Sequence, residues 1–524
     1  MLVAGSFLLL AFVTAAVAVW HPLTAASSRQ DVTVYGTAVE SLDPAVQSDA
    51  GSAQVVTQLF ESLTQIDSQS QVRPALASSW DTTNDGKRIV FHLRSGLTFS
   101  DGSALRAGDV VASWLRVLSP SKPSQLAPLL DDVVGAKAYR EGSGSSSGVG
   151  IRASGDADVE VDMVSAASDF PAIVSSPSLA VVPGAIDSNP RLLEAGSFVG
   201  SGAYVLSAET VDEMTLTANT HYWAGTPAIS TVHLATSAGS NGEIAAFQSG
   251  TLDYTPISAG DATWIAYDAT LGPSLRLEPS PSVEYYGFDT SRPPFDNVHV
   301  RRAFAAGIDW RRIVALESTP GVTAATGMVP VGVPGHSTTD FLPAFDVATA
   351  KSELASAGYP NGTAFPTVIL VTPGGDGGQM EGAIIRQLHD NLGIDISYRS
   401  EDWTAYNDDL QNNPPAMWEM DWVADYPGAN DFLGLLLGSG QPNNYGLWSD
   451  KDFDTAISQA LSSTDAATVQ RAFDSAQGIV KDQAPVVPVD YGSDYSLVAK
   501  GLLGAMPNGQ GLVRYADMSW AAGS

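Results

Sequence analysis

A single long apolar segment at the N-terminus constrains the fold of this chain most. Residues 2–20 carry no charged side chain, and their length is about that of a bilayer-spanning helix. The segment lacks the basic start of a secretory signal peptide, but Ala16-Val17-Ala18 and Thr24-Ala25-Ala26 both offer the small residues of a cleavage site. No second run of this length follows. We therefore expect residues 1–30 to form a signal peptide or membrane anchor plus a linker. The remainder should fold as globular domains outside the cytoplasm, in the periplasm or at the cell surface.

The composition excludes several classes of protein. The chain has 26 Lys and Arg against 57 Asp and Glu, a formal net charge of −31, and no Cys. Such an acidic chain repels nucleic-acid phosphates and anionic lipid headgroups, so we expect neither as a partner. Without Cys there is no disulfide framework, thiolate metal site or thiol nucleophile. The seven His residues are scattered, with no pair at helical metal spacing, so we predict no metal and no other cofactor.

Strand-like and helix-like periodicities alternate along the chain and predict a mixed α/β or α+β protein without an internal repeat. Apolar residues alternate over 89–93, which predicts a half-buried strand. Over 300–308 they recur at three- and four-residue spacing, which predicts an amphipathic helix. Asp109 is predicted to be the N-cap of another helix, and residues 486–489 are predicted to form a late strand.

One segment combines acidic and aromatic side chains. Residues 418–427 contain three acids, two Trp and a Tyr. An extended conformation places its side chains on two faces: Asp421, Val423 and Asp425 on one, Trp422 and Ala424 on the other. Carboxylates beside aromatic rings suit a cationic, partly apolar ligand. The spacing fits an acidic surface loop with Trp packed beneath it equally well.

Short motifs follow one another from about residue 31 to 490. The most specific are Asp85-Gly86-Lys87, Phe91-His92-Leu93-Arg94-Ser95-Gly96 and Phe99-Ser100-Asp101-Gly102. Others are Ser41-Leu42-Asp43-Pro44-Ala45, Gly202-Ala203-Tyr204, Val300-Arg301-Arg302-Ala303, Ala357-Gly358-Tyr359 and Ala424-Asp425-Tyr426-Pro427. In this order they resemble the extracytoplasmic solute-binding proteins of peptide/nickel-type ABC importers, the dipeptide- and oligopeptide-binding family.

The resemblance implies a periplasmic-binding-protein-like fold of two lobes, joined by a hinge, that close over a ligand. Lobe I should be discontinuous, with a small domain inserted into it. The implied boundaries are 31–60, 184–278 and 490–524 for lobe I, 61–183 for the inserted domain, and 279–489 for lobe II.

The resemblance also implies a binding site. In peptide-binding members, the Asp of the Ala-Asp motif pairs with the ligand's α-ammonium group, and the strand before it hydrogen-bonds the peptide backbone. That Asp corresponds to Asp425. The predicted ligand-binding residues are Asp425, Trp422, Ala424, Tyr426, Val423 and Trp403.

The function implied is that of a non-enzymatic, monomeric receptor. It would capture a peptide or similar small amine-bearing solute and deliver it to an ABC permease and its ATPase. Three departures from the family stand out. There is no Cys for a lipoprotein anchor, Glu419 stands where some members have an Arg for the ligand carboxylate, and no His follows His389 to bind nickel.

Three alternatives stay open at this point. An oligosaccharide receptor of the same fold could stack sugars on some of the eleven Trp residues. An exported hydrolase could use Asp/Glu pairs. A sensory or pheromone receptor could share the fold and serve a different partner.

Overall fold

A computed structural model describes residues 29–83, 86–374 and 378–523. Most of the predicted N-terminal segment, residues 1–28, lies outside the described residues. Within the three described ranges, no helix is both long enough and apolar enough to cross a membrane.

Strands and helices mix throughout the chain. The strands are β1 (Asp31–Tyr35), β2 (Thr64–Ile66), β3 (Val72–Pro74), β4 (Ala77–Thr83), β5 (Arg88–Leu93), β6 (Ile151–Ser154), β7 (Asp158–Asp162), β8 (Tyr204–Glu209), β9 (Glu213–Ala218), β10 (Thr231–Ala235), β11 (Tyr254–Pro256), β12 (Leu275–Phe288), β13 (Thr323–Ala324), β14 (Val368–Pro373), β15 (Ile396–Glu401), β16 (Met417–Val423), β17 (Val486–Val498), β18 (Leu502–Leu503) and β19 (Ser519–Trp520). The helices are α1 (Ala50–Leu59), α2 (Ala107–Val117), α3 (Ala136–Arg140), α4 (Phe170–Ile173), α5 (Gly242–Gln248), α6 (Ala259–Ile265), α7 (Val298–Gly307), α8 (Trp310–Glu317), α9 (Val347–Ser356), α10 (Gln379–Leu392), α11 (Trp403–Asn412), α12 (Ala429–Phe432), α13 (Gly434–Leu437), α14 (Lys451–Leu461) and α15 (Ala466–Gln483).

One large sheet joins the two lobes. Its order is β15-β14-β16-β12-β17-β11-β1-β10-β9-β8, and β13 pairs with β17. The long antiparallel strands β12 and β17 lie at its centre. β17 pairs with β11 of lobe I at its C-terminal end, and β12 pairs with β16 of lobe II at its own C-terminal end. These two strands therefore cross between the lobes.

The pairing of the crossing strands is interrupted between Pro279 and Val283. Proline at 279 and 281 has no N–H to give to the ladder, so hydrogen bonding is weak here. Opposite this gap, a Cβ on Gly492 would lie 2.3 Å from the Ser282 hydroxyl, so a larger residue here would require that side chain to move. Such irregularities bend strands locally. The lobe boundaries expected at 278/279 and 489/490 fall within these two strands and stay predictions.

Separate hydrophobic cores support the parts of the molecule. The four-stranded sheet β4-β5-β7-β6 packs on α2 around Phe91, Trp114 and Phe170. Lobe I has its own core beneath β1, β9 and β10. Lobe II has one core on each face of the sheet, around Tyr286 and Trp310 on one face and around Tyr285, Trp418 and Phe473 on the other.

The periodic segments are confirmed, and one cap is corrected. Residues 89–93 lie in β5, with Ile89, Phe91 and Leu93 buried, and 300–308 lie mostly in α7. Helix α2 begins two residues before Asp109, with Arg106 as its N-cap. Asp109 instead accepts a hydrogen bond from the Arg106 backbone N–H at 2.8 Å, as the third residue of a capping box does. The predicted late strand is only the first part of β17.

Candidate ligand-binding site

The acidic and aromatic segment lies where lobe II meets the crossing strands. β16 pairs antiparallel with β12, and its last residue, Val423, lies opposite Ser282 beside the interrupted pairing. The predicted alternation is present beyond the end of the strand. Three side chains are exposed on one face, namely Asp421, Val423 and Asp425. Trp422 and Ala424 pack against the core of lobe II.

Asp425 is next to a second, buried carboxylate, that of Asp431 in α12. One oxygen of Asp431 accepts hydrogen bonds from the Trp422 indole N–H at 2.8 Å and from the Asp425 backbone N–H at 3.3 Å. The other oxygen is buried and has no hydrogen-bond partner. Trp422 therefore orients Asp431 against the segment that carries Asp425.

The electrostatics of this pair favour a positive ligand. Burial raises the pKa of Asp431 well above its ordinary value, and the charge of Asp425 raises it further. Desolvation also raises the pKa of Asp425. Among the described residues, no Lys, Arg or His forms an ion pair with either carboxylate. An ammonium group placed here would lower the pKa values of both carboxyl groups and form charge-assisted hydrogen bonds.

Tyr426 and Trp403 are placed differently from their predicted neighbours. Tyr426 is buried, and its hydroxyl donates to Asp169 of the inserted domain at 2.5 Å, while Asn430 donates to the same carboxylate at 3.0 Å. Tyr426 therefore links the segment after β7 to the segment after β16. Trp403 is 57% exposed in the first turn of α11, with its ring 6.2 Å from that of Tyr406.

Trp403 lies near the middle of β16, through its neighbour Tyr406, whereas Asp425 follows the end of that strand. The Tyr406 hydroxyl donates to the Glu419 backbone carbonyl, which ties α11 to the strand. The structure thus groups Asp425 with Trp422, Val423 and Ala424, and it groups Trp403 with Glu419. Whether these side chains contact a ligand stays a prediction.

Sequence reasoning missed several acidic residues on this side of the sheet. Asp431 follows Asp425 by six residues but lies in a different element. Glu284 and Asp490 come from distant parts of the sequence and meet only through strand register. Nothing local in the sequence marks them, because each is surrounded by ordinary strand residues.

The register forms a row of carboxylates across three strands. Glu284 of β12 lies directly opposite Asp421 of β16 on one side and Asp490 of β17 on the other. In the next row, Glu419 lies opposite Tyr286. Like charges placed directly opposite each other destabilise a sheet unless they are neutralised.

Comparison with known proteins assigns this chain to a family. The sequence profile of the bacterial extracellular solute-binding proteins, family 5 Middle, matches residues 71–444. The chain belongs to this family. The resemblance inferred from the motifs is thereby confirmed, and the family's description as extracellular agrees with the predicted export.

Curated relatives match the chain over most of its length. The probable deoxycholate-binding periplasmic protein YgiS of Escherichia coli K12 is 30% identical over 474 residues, which cover 86% of each chain. The oligopeptide-binding protein OppA of Bacillus subtilis 168 is 26% identical over 488 residues, which cover 91% of this chain and 90% of that one. This family 5 protein therefore has relatives named for different ligands.

A solved structure confirms the fold. The unliganded open form of the murein tripeptide-binding protein MppA superposes with a TM-score of 0.83 at 23% identity. The superposition covers 94% of this chain and 98% of that one. The mixed α/β, two-lobed architecture predicted for this family 5 protein is thus correct.

Proposed function

We propose that this chain is an extracytoplasmic receptor that captures a peptide or similar small amine-bearing solute and delivers it to an ABC permease. The observation that carries the proposal is the exposed carboxylate of Asp425 beside the buried carboxylate of Asp431, with no cation of the described chain paired to either. The peptide-binding names of the OppA and MppA relatives support it. The protein would act as a monomer, without turnover, with the permease and its ATPase as downstream partners. The N-terminal segment would either be cleaved or anchor it.

The rival ligands fit this site less well. The YgiS relative is named for deoxycholate, an anion, which the carboxylates on this side of the sheet would repel. A sugar receptor could use the exposed ring of Trp403, but it would not need the unpaired carboxylates of Asp425 and Asp431.

Isothermal titration of an Asp425→Asn variant tests the proposal. The probes are tri-alanine amide and its N-acetyl derivative, because only the first carries an α-ammonium group. Removing one partner of an enclosed charge pair costs about 2–5 kcal/mol. We therefore expect Asp425→Asn to bind tri-alanine amide roughly thirty-fold more weakly or worse. Acetylation should weaken wild-type binding to a similar extent.

The matched control is Asp421→Asn, which removes the same charge from the same face four residues earlier. It should lose less affinity for this probe, whose side chains are uncharged. If Asp425→Asn binds like wild type, or acetylation changes nothing, the ligand is not anchored through an amine.

A further inference from the structure

A second group of carboxylates lies on the same sheet as Asp425 and has no assigned role. It comprises Glu284, Asp421, Asp490 and Glu419 on the strands, with Glu317 at the end of α8 and Glu381 in the first turn of α10. We call these six residues the carboxylate cluster. Their electrostatic coupling runs through Glu284 and Glu419, since each is influenced by the charges of several of the others.

Nothing in the described chain neutralises the cluster. None of its six carboxylates forms an ion pair with a Lys, Arg or His of the described ranges. Elsewhere the protein pairs its buried acids, as Asp43 is paired with Arg116 at 2.5 Å. Of the buried acids in the described ranges, Asp490 of the cluster and Asp431 beside Asp425 are the exceptions.

A buried hydroxyl points to a missing partner. Tyr286 is 0% exposed, and its hydroxyl has no hydrogen-bond partner. On its sheet face it lies directly opposite Glu419 and two residues from Glu284. The carboxylate charges raise the pKa of Tyr286 in addition to the effect of burial. A buried hydroxyl left without a partner is costly, so its place beside the carboxylates supports a site for a hydrogen-bonding ligand group there.

The cluster holds protons that a cation can displace. Burial and neighbouring acids raise the pKa of Glu419 to about 8, and burial and the same kind of neighbours raise that of Asp490 to about 7. At neutral pH these carboxyl groups are therefore partly protonated. A positive charge that arrives stabilises their ionised forms and releases protons.

The chemistry favours an organic cation. Across the described residues, no group of three or more His, Asp or Glu side chains is arranged to hold a metal ion. An ammonium or guanidinium group needs several acceptors at hydrogen-bond distance, not a closed coordination shell. Glu284, Asp421 and Asp490, which adjacent strands place directly opposite one another, offer such acceptors.

We propose that the carboxylate cluster is a second subsite, which binds an amine or guanidinium group of the same ligand whose α-ammonium group pairs with Asp425. The inference rests on the proposed function and narrows its ligand to one with two separated positive charges. Strands extend about 3.3 Å per residue. Asp421 and Glu419 precede Asp425 by four and six residues, so an extended peptide should reach the cluster with its third or fourth side chain.

Matched peptides test the second subsite. Ala-Ala-Arg-Ala amide and Ala-Ala-Ala-Arg amide are compared with analogues in which citrulline, the neutral isostere, replaces Arg. We expect at least one Arg peptide to bind about tenfold tighter than its citrulline analogue, as charge-assisted hydrogen bonds predict. Titration in two buffers of different ionisation enthalpy should show proton release with the Arg peptide and less with the citrulline peptide.

Three variants locate the effect. Glu284→Gln and Glu419→Gln should each reduce the Arg-over-citrulline preference, while binding of the citrulline peptides stays near wild type. The control is Glu209→Gln, which removes the same charge from the exposed end of β8 in lobe I and should keep the preference. Thermal melts of all three confirm that they are folded.

The outcomes separate this inference from the proposed function. If Arg and citrulline peptides bind equally, and both still depend on Asp425, the second subsite is wrong and the peptide receptor stands. A preference that survives both cluster variants also overturns the subsite. If no peptide binds, the proposed function fails, and the subsite that rests on it fails with it.

Discussion

Acidic side chains are paired with cations in one region of the described chain and lack such partners in another. Where lobe I meets the inserted domain, Asp43 accepts two hydrogen bonds from Arg116 at 2.5 Å and one from Lys122 at 2.9 Å. Glu61 similarly meets Tyr222 and Arg514. On lobe II, the carboxylate cluster lies beside the crossing strands without a cation.

The pKa values of the two groups of acids shift in opposite directions. Burial alone would raise the pKa of Asp43, but hydrogen bonds from Arg116 and Lys122 outweigh it and hold the pKa below its ordinary value. In the cluster, burial and like charges act in the same direction, so the pKa of Glu419 rises. Acids with internal partners stabilise the fold, and acids without them are available to an external cation.

Breaking the paired side should have the largest effect. Arg116→Ala leaves Asp43 buried with only Lys122 as a cationic partner, and loss of one partner of a buried pair costs about 3–5 kcal/mol. We expect the free energy of unfolding, measured by urea denaturation, to fall by that amount. The control is Arg191→Ala, whose exposed pair with Glu194 at 3.6 Å should contribute less than about 1 kcal/mol. Equal losses in the two variants would contradict the contrast.

The pH dependence of stability should separate the two sides. Asp43 has a lowered pKa in the folded state, so its contribution is present above its ordinary value and lost as the pH falls through the folded value. Glu419 and Asp490 have raised pKa values of about 8 and 7, so they bind protons on folding, and stability falls as the pH rises from their ordinary pKa values to these raised ones.

Without ligand, we expect maximal stability at about pH 4–5 and a loss of several kcal/mol by pH 8.5, at about 1.4 kcal/mol for each unit of pKa shift. Denaturant titrations from pH 3 to 9 measure the profile. A flat profile between pH 5.5 and 8.5 would mean that the cluster is better solvated than its geometry indicates.

The smallest effect comes from neutralising one member of the cluster. Glu419→Gln removes a charge that its neighbours repel, so it should raise the free energy of unfolding at pH 8.5 by about 1 kcal/mol. The gain should be smaller at pH 5.5, where the wild-type side chain is still protonated in the folded state. Destabilisation at pH 8.5 would indicate that Glu419 has a partner inside the chain.

The periodic elements could be predicted from the sequence because their causes are local. The alternation in β5 and the helical spacing in α7 each report burial of one face. The crossing strand β12 was missed, because Pro279 and Pro281 interrupt the usual strand pattern. Asp109 was misplaced as a cap because an acid suits both the N-cap and the third helical position.

The site was predictable only in part, because not all of its residues are close together in the sequence. Asp425 and Trp422 lie in one short segment that matches a family motif. Glu284 and Asp490 approach each other only when β12 pairs with β17, two hundred residues apart in the chain. Whether these carboxylates have a cationic partner depends on every neighbouring element, and a local sequence pattern does not contain that information.

The position of β16 has a kinetic consequence. Asp425 and Glu419 both fall in the range predicted for lobe II, so we expect their separation to stay constant when the lobes move about the crossing strands. The fit of a ligand to both positions is then set within lobe II alone. We expect movement at the gap between Pro279 and Val283 to govern how long a bound ligand stays. Substitutions on β16 should alter which solutes bind, whereas substitutions at the gap should alter the dissociation rate constants of all of them alike.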